Sequence, residues 1–396
     1  MRHDSALLIV GQDMKILYHH RGHHLAEHLM RTFVHLDLVS MTKMYGGPGT
    51  DPAWKKALYG LRDVAFRPVE VTHDKNLVHY RVRFPRLPAV FDYSFRDFWT
   101  YASLRRRLRQ HYDLCILGHP RLAFVALRLR RQGRAGVLVY DDWDYFPGEQ
   151  ARDPFWHWVM RFRERVCVRA ADAVISVSSS LRQLREEQGA KRTALVPNGV
   201  DLGLFRQAQQ RIPHPPTLVY MGSLAHAWGA DLPIAALPEI RRSVPEARYM
   251  VIGRGPDEAR LRVMASELGL DGAVHFCGNQ AYQDLPRFLA EADIGVATSR
   301  DTEFRRHACP LKIVEYMAAG LPVIGTQMGE TQAIIEKAMA GEAVRFSPQA
   351  FAHAAVTLLS DRGKYDQYAR NALAFAERHD WQHLLDDWLA LVEQMA

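Results

Sequence analysis

No apolar run in this sequence approaches the ~20 residues that a membrane-spanning helix needs. The opening "MRHDSALLIVGQD" has too short an apolar stretch, and no cleavage site, for a secretory signal. A cytoplasmic location is the expectation that follows. Cysteine is sparse: Cys115, Cys167, Cys277 and Cys309 stand singly, without the paired spacing of a zinc site or a disulfide framework, so reduced thiols are expected. Low-complexity tracts and long like-charge blocks are missing too. With 48% hydrophobic and 24% charged residues, that excludes a disordered or fibrous chain.

What is present begins with length, since 396 residues exceed what one hydrophobic core usually organises. Two domains are expected. Charge is unevenly shared: of 51 basic and 44 acidic residues the first 200 hold 32 and 20, which leaves 19 and 24 for the rest, or about +12 against −5. The N-terminal half is therefore expected either to face something anionic (nucleic acid, a membrane surface, a phosphorylated acceptor) or to carry a solvated basic surface.

Short β-branched or aliphatic runs alternate with amphipathic stretches: "ALLIV", "LDLVS", "DLCILG", "GVLVY" and "AVISVS", then "TLVYMG", "RYMVIG", "AVHFCG", "IGVATS" and "LPVIGT". That beat is the signature of parallel α/β sheets, here twice over. Pro197, Asn198 and Gly199 in "ALVPNGVDLGLF" supply turn chemistry and are followed by the polar "QAQQRIPHPP", which marks a boundary. Domains are expected over 1–197 and 198–375, with a packing helix over 376–396.

The most informative stretch is "PLKIVEYMAAGLPVIGT", residues 310–326. Pro310 suits a first helical position and Gly320 a left-handed exit, so a helix is expected over about 310–319, leading into a buried strand. The N–H groups and dipole at its start favour an anion, to which Lys312 adds a full charge. Glu315, one turn deeper, suits the vicinal diol of a ribose, because a carboxylate accepts two hydroxyl hydrogens at once. Together they describe a nucleoside diphosphate site, against the alternative of a solvated surface helix.

This stretch closely resembles the nucleotide-binding signature of the GT-B glycosyltransferases, above all the large retaining group 1 family. Further landmarks fall in the family's order: "RAADAVISVSSSL", "VPNGVDLGLF", "LVYMGSL", "YMVIGRGPDEARL" and "VHFCGNQAYQDLPRFLAEADIGVATS". The likeness covers nearly all of the second domain. In the first it is looser, resting on "RGHHLAEHL", "YDLCILG" and "VLVYDDWDYFPG". It implies an α/β protein of GT-B architecture, two Rossmann-like domains facing across a cleft, with the donor bound by the second and the acceptor by the first. It implies a UDP- or GDP-linked sugar donor, no cofactor, and no metal to hold the diphosphate. The implied donor set is Lys312, Glu315 and Leu311, with Gly222, Ser223, Gly253, Arg254 and Asn279 at the strand ends.

Departures from the family pattern are informative. A glutamate usual eight positions before Glu315 is His307 here, which makes His307 a catalytic candidate. An arginine and a lysine usual after the glycine of "VYMG" are Ser223 and, by alignment, Trp228. Arg305, Arg306 or Arg254 are the candidates to restore that charge. Gly253 and Gly255 read as a turn near the nucleoside, since Asp257 and Glu258 would repel phosphate from the following helix start.

In the first domain, "YDDWDYF" holds Asp141, Asp142 and Asp144 at the end of a strand. One of these carboxylates is placed to take the proton from an acceptor hydroxyl; capping of the strand end is the other reading. The region resembles certain membrane-associated inverting glucuronosyltransferases, in which an aspartate at the place of Asp144 is the base. Asp144, then Asp142, are thus the candidate bases, and inversion is expected. His20, His24 and His28 in "HHRGHHLAEH" fall at four-residue steps, but Gly22 is expected to interrupt any helix there and so to argue against a metal face. Gly22 and His23 are instead expected near the acceptor or the donor phosphate.

"FWTYASLRRRLRQ" and "FWHWVMRFRERVCVRA" mix aromatics with arginines, as a helix lying on an anionic bilayer would, or as a core edge with a solvated rim. The expected activity is transfer of a sugar to a glycan or lipid-linked acceptor, in surface polysaccharide synthesis, at the inner face of a membrane and without nucleic acid. The alternatives are a sugar-nucleotide epimerase on the same scaffold, or a non-catalytic GT-B scaffold that binds nucleic acid.

Overall fold

A computed structural model of the chain describes residues 4–11, 13–14, 20–42, 68–83, 89–150 and 153–395. The chain divides into two compact units: Met1–Val196 with Leu385–Ala396, and Pro197–Leu384.

The first unit contains strands β1 (Ser5–Ile9), β2 (His35–Thr42), β3 (Val69–Asp74), β4 (Leu77–Arg83), β5 (Tyr112–Leu117), β6 (Ala135–Asp142), β7 (Ala173–Ser176) and β8 (Thr193–Leu195). Its longer helices are α1 (Arg21–Thr32), α2 (Ala89–Leu104), α3 (Ala123–Arg131), α4 (Pro154–Ala170) and α5 (Ser179–Glu187). The strands form one sheet in the order β3-β4-β2-β1-β5-β6-β7-β8. Every pairing is parallel except the β3–β4 hairpin, whose turn places Lys75 at φ 53. All five residues of β1 are buried, as a strand covered on both faces by crossover helices requires.

The second unit carries β9 (Thr217–Met221), β10 (Arg248–Ile252), β11 (Val274–Gly278), β12 (Ile294–Ala297), β13 (Val323–Thr326) and β14 (Gly341–Val344). They lie in the order β11-β10-β9-β12-β13-β14, all parallel. Its longer helices are α6 (Asp231–Ser243), α7 (Glu258–Glu267), α8 (Leu311–Ala318), α9 (Gly329–Ala338), α10 (Pro348–Ser360) and α11 (Arg362–Glu377); α12 (Trp381–Met395) closes the chain.

Strand order fixes where a ligand belongs. The first strand of each sheet lies inside it, β1 between β2 and β5, β9 between β10 and β12. Chain direction reverses there, so adjacent loops leave the carboxyl ends on opposite faces and open a crevice. The loops after β9 and β12 are the ones so placed in the second unit.

Three expectations need correction. Pro310 is the residue before the helix, at φ −72 and ψ 117, and α8 starts at Leu311, because the Pro310 backbone stays extended. Gly22 does not interrupt a helix: α1 starts at Arg21, with His20 as its cap accepting the Gly22 N–H. The C-terminal segment is not a separate piece, because from Leu385 onward it belongs to the first unit. There the Trp388 indole is fully buried and donates to Asp141 at 2.9 Å.

Candidate functional site

In the second unit, α8 is pinned to the reversal point by one tyrosine. The Tyr316 hydroxyl accepts the Met221 N–H at the end of β9 at 2.8 Å and donates to the Val296 carbonyl of β12 at 3.3 Å. Its ring lies so close to β12 that a Cβ on Gly295 would fall 2.4 Å from it. The helix ends where Gly320 turns left-handed at φ 74 and the Leu321 N–H returns to the Tyr316 carbonyl at 2.9 Å. Asn198, on the chain entering this unit, donates to the Cys309 carbonyl at 2.9 Å and steadies the approach to the helix.

On that helix Lys312 and Glu315 are only 8% and 7% exposed. The Lys312 amine lies 3.9 Å over the Tyr220 ring and 5.1 Å from the Trp228 ring, and among the described residues it has no hydrogen-bond partner. Burial, then the nearby Arg305, push its pKa well below the usual lysine value, with Glu315 opposing. A buried ammonium without an acceptor is costly, and an anion delivered to it removes that cost. Gly222 stands at the amine: a Cβ there would come within 2.9 Å of Nζ, and its φ of 139 excludes most side chains in any case. Gly253 is explained by close packing: its Cβ would fall 1.9 Å from the Gly222 carbonyl oxygen.

Glu315 accepts a hydrogen bond from the Tyr282 hydroxyl, while burial pushes its carboxyl up to about 7. The ring of Tyr282 packs edge-on against Phe205 at 5.5 Å. One hydroxyl does not saturate a carboxylate, so Glu315 keeps acceptor capacity for a diol. Sequence reasoning missed Tyr282, because its partner lies 33 positions away in a different element.

The three arginines considered as replacement charge separate clearly. Arg306 is exposed and paired with Asp301 at 2.6 and 2.8 Å. Arg254 is exposed and lies by Gly278 at the end of β11, and Asn279 beside it is exposed as well. Arg305 is buried, with its guanidinium carbon 3.9 Å over the Trp228 ring. The geometry brings Lys312, Arg305, Trp228, Tyr220 and Gly222 together. Ser223 is exposed in the same loop, where its carbonyl accepts from the Tyr220 hydroxyl at 2.8 Å. Leu311 is half-buried at the helix start, and His307 half-buried at the end of the short helix Glu303–His307 that carries Arg305.

In the first unit the aspartates at the end of β6 have different fates. Asp141 is fully buried against the Arg21 guanidinium, two bonds at 2.9 Å, and against Trp388. Asp142, also fully buried, takes two bonds from Arg185 at 2.8 and 2.9 Å and one from Ser176 at 3.0 Å; Arg185 is held in turn by Glu164 at 2.6 Å. That corrects Asp142 as a candidate base: its acceptor capacity is spent inside the fold. Asp144 is the one of the three with surface open to solvent.

Gly22 is buried, and a Cβ there would come within 2.9 Å of the His20 ring and 3.1 Å of the Trp143 ring, so close packing accounts for the glycine. The His23 side chain is half-buried, with Nε2 3.0 Å from the Met14 carbonyl and Nδ1 3.4 Å from the His20 N–H, so it serves the cap of α1. A residue that sequence reasoning missed is His119, just past β5. It is buried over Phe146 at 4.0 Å, and its pKa is held well below the ordinary value by burial. Among the described residues no three His, Cys, Asp or Glu side chains come together as a metal site.

Comparison with known proteins covers both halves. Residues 23–204 match the model described as Glycosyltransferase Family 4, and residues 215–361 the model described as Glycosyl transferases group 1. A curated relative, the GDP-mannose-dependent alpha-(1-6)-phosphatidylinositol dimannoside mannosyltransferase of Mycobacterium tuberculosis, is 30% identical over 233 residues. The match covers 57% of this chain and 58% of the relative, so the chain spans less than two thirds of that protein's length. Solved structures agree on the fold. Sucrose-phosphate synthase from Thermosynechococcus elongatus aligns over 99% of both chains with a TM-score of 0.73 at 19% identity. The E. coli trehalose-6-phosphate structure bound with UDP-2-fluoro glucose aligns over 99% of both with a TM-score of 0.74 at 12% identity. These neighbours share the GT-B fold. The chain thus carries a glycosyltransferase family 4 domain in its first half and a group 1 glycosyltransferase domain in its second.

Proposed function

We propose that this protein transfers a hexosyl or glycuronosyl unit from a nucleoside diphosphate sugar to a glycan or lipid-linked acceptor. The observation that carries it is the Lys312 amine: buried, without a hydrogen-bond partner among the described residues, and at the mouth of a helix lodged at the sheet's reversal point. Lys312, Arg305 and the N–H groups of α8 would neutralise the diphosphate, so that no divalent ion is needed there, and Glu315 would hold the ribose diol. The second unit thus binds donor. The relative's printed name, with its GDP-mannose donor and phosphatidylinositol-linked acceptor, supports a GDP-linked donor and a lipid-linked acceptor; the UDP-2-fluoro glucose in the E. coli structure keeps UDP as the other base to test. A lipid-linked acceptor would put the protein at the cytoplasmic face of a membrane as a peripheral protein, and no helix among the described residues is long and apolar enough to cross one.

The reading is tested by thermal shift with a panel of nucleosides, nucleoside diphosphates and nucleotide sugars, with and without chelator. A ligand at 100 times its dissociation constant adds about 2.7 kcal/mol to stability. Stabilisation by one base's diphosphate and sugar, unchanged by chelator, is expected. A panel in which no nucleoside diphosphate stabilises the protein overturns the reading.

A further inference from the structure

Five of the six exposed phenylalanine and tryptophan side chains among the described residues lie on three helices of the first unit: Phe98 on α2, Phe124 on α3, and Phe155, Trp158 and Phe162 on α4. Three of them are more than half exposed on α4 alone, at 57%, 64% and 59%, and water penalises that much open aromatic surface. One buried knot ties the helices together. Asp97 of α2 accepts the Phe124 N–H at 2.8 Å and the Val125 N–H at 3.2 Å at the start of α3, and pairs with Arg163 of α4. Phe98, Phe124 and Phe162 are each at or beside a residue of that knot in the chain, and the rings form two pairs, one across α2 and α3 and one along α4. The Phe98 and Phe124 centroids are 6.2 Å apart, and Trp158 stacks on Phe162 at 6.3 Å.

Charge follows the rings along the same helices. Arg128 and Arg131 are exposed on α3 at four and seven residues from Phe124, which keeps them on its face, and Arg161 and Arg165 are exposed on α4 beside Phe162. Neither of these two helices sets an exposed carboxylate beside them: α3 contains none, and the one in α4, Glu164, is buried against Arg185. A surface of open aromatic rings flanked by uncompensated arginines suits a partner that is apolar below and anionic on top.

We propose that the α2–α3–α4 face binds an anionic phospholipid bilayer, with Trp158, Phe162 and Phe124 entering the headgroup boundary and Arg128, Arg131, Arg161 and Arg165 meeting lipid phosphates. This is independent of the donor site, and the nucleotide panel can fail while it holds.

The full chain, without nucleotide, is sedimented with vesicles of phosphatidylcholine carrying 30% phosphatidylglycerol and with vesicles of phosphatidylcholine alone. Binding to the anionic vesicles, weakened by 0.5 M salt, is expected. Trp158→Ala with Phe162→Ala should lower partition about tenfold or more. Arg161→Gln with Arg165→Gln should lower it about fivefold per arginine on anionic vesicles only. All four positions are exposed, and unchanged melting temperatures confirm that each variant is folded. Equal or absent binding to the two vesicle types, or wild-type partition by both variants, overturns the proposal. So does a concentration-dependent self-association that the aromatic variant abolishes, which would make the patch a contact between copies of this chain.

Discussion

The Arg305 guanidinium carbon lies 3.9 Å over the Trp228 ring, and the Lys312 amine lies 5.1 Å from the centre of the same ring. Two buried cations sharing one aromatic repel each other, and Arg305 is one cause of the depressed lysine pKa. The arrangement becomes favourable when a polyvalent anion enters. Arg305→Ala should therefore weaken UDP or GDP binding by about 10- to 100-fold, the worth of a charge-assisted hydrogen bond, while leaving the parent nucleoside unaffected. Calorimetric titration compares the two. Equal losses for diphosphate and nucleoside would remove Arg305 from the diphosphate site.

Lys312→Met keeps the length of the side chain and removes its charge. Because the folded protein holds this amine below its ordinary pKa while the unfolded chain does not, the lysine destabilises the fold at every pH below about 10. The variant should melt a few degrees higher, since about 1 kcal/mol shifts a unit of this size by about 2–4 °C. Its nucleotide affinity should fall at the same time. In the native protein, a bound diphosphate raises the lysine pKa, so binding takes up a proton there and this contribution to affinity weakens as pH rises. Destabilisation by Lys312→Met would show that the amine is already well partnered.

Glu315 carries the opposite sign. With its carboxyl raised from 4.5 to about 7, the folded protein keeps a proton that the unfolded chain has lost, so stability falls as pH climbs through that window, by on the order of 3 kcal/mol. Glu315→Gln should flatten that fall and stabilise the free protein at pH 8. A ribose diol favours the ionised carboxylate, so this part of nucleotide affinity strengthens with pH through about 7, and the variant should lose it. Denaturant melts at pH 5 and 8 decide the first point; a slope that survives in Glu315→Gln belongs to another group.

Much of this was legible in the sequence because it is written locally. The ten aliphatic runs all fall on strands, and the Lys-Ile-Val-Glu spacing placed two charges on one helix whose position follows from strand order. The β3–β4 hairpin escaped notice because its polar alternation, "VEVTHD" and "LVHYRVR", is only half-buried and differs from the apolar runs of the parallel strands. The last helix read as packing, but the partner of Trp388 is Asp141, 247 positions earlier. Asp142 and Asp144 look alike in "DDWD". What separates them is Arg185, 43 positions after Asp142, which no local pattern announces.

That separation yields the last test. Asp142→Asn breaks the fully buried Arg185–Asp142 pair and leaves Glu164 as the counter-charge Arg185 keeps, and should cost about 3–5 kcal/mol of stability, as broken buried pairs do. Asp144→Asn, at a partly open position, should leave melting and donor affinity intact. If Asp144 takes the acceptor's proton, turnover should fall about 10²- to 10⁴-fold. If the base is Asp144 of the first unit, it serves direct displacement at the anomeric carbon, so the product should have the anomeric configuration opposite to the donor's. Proton NMR of the product reads that without mutagenesis. If configuration is retained, the leaving phosphate can take the proton, Asp144 loses the role, and His307, on the short helix with Arg305, is the next side chain to vary.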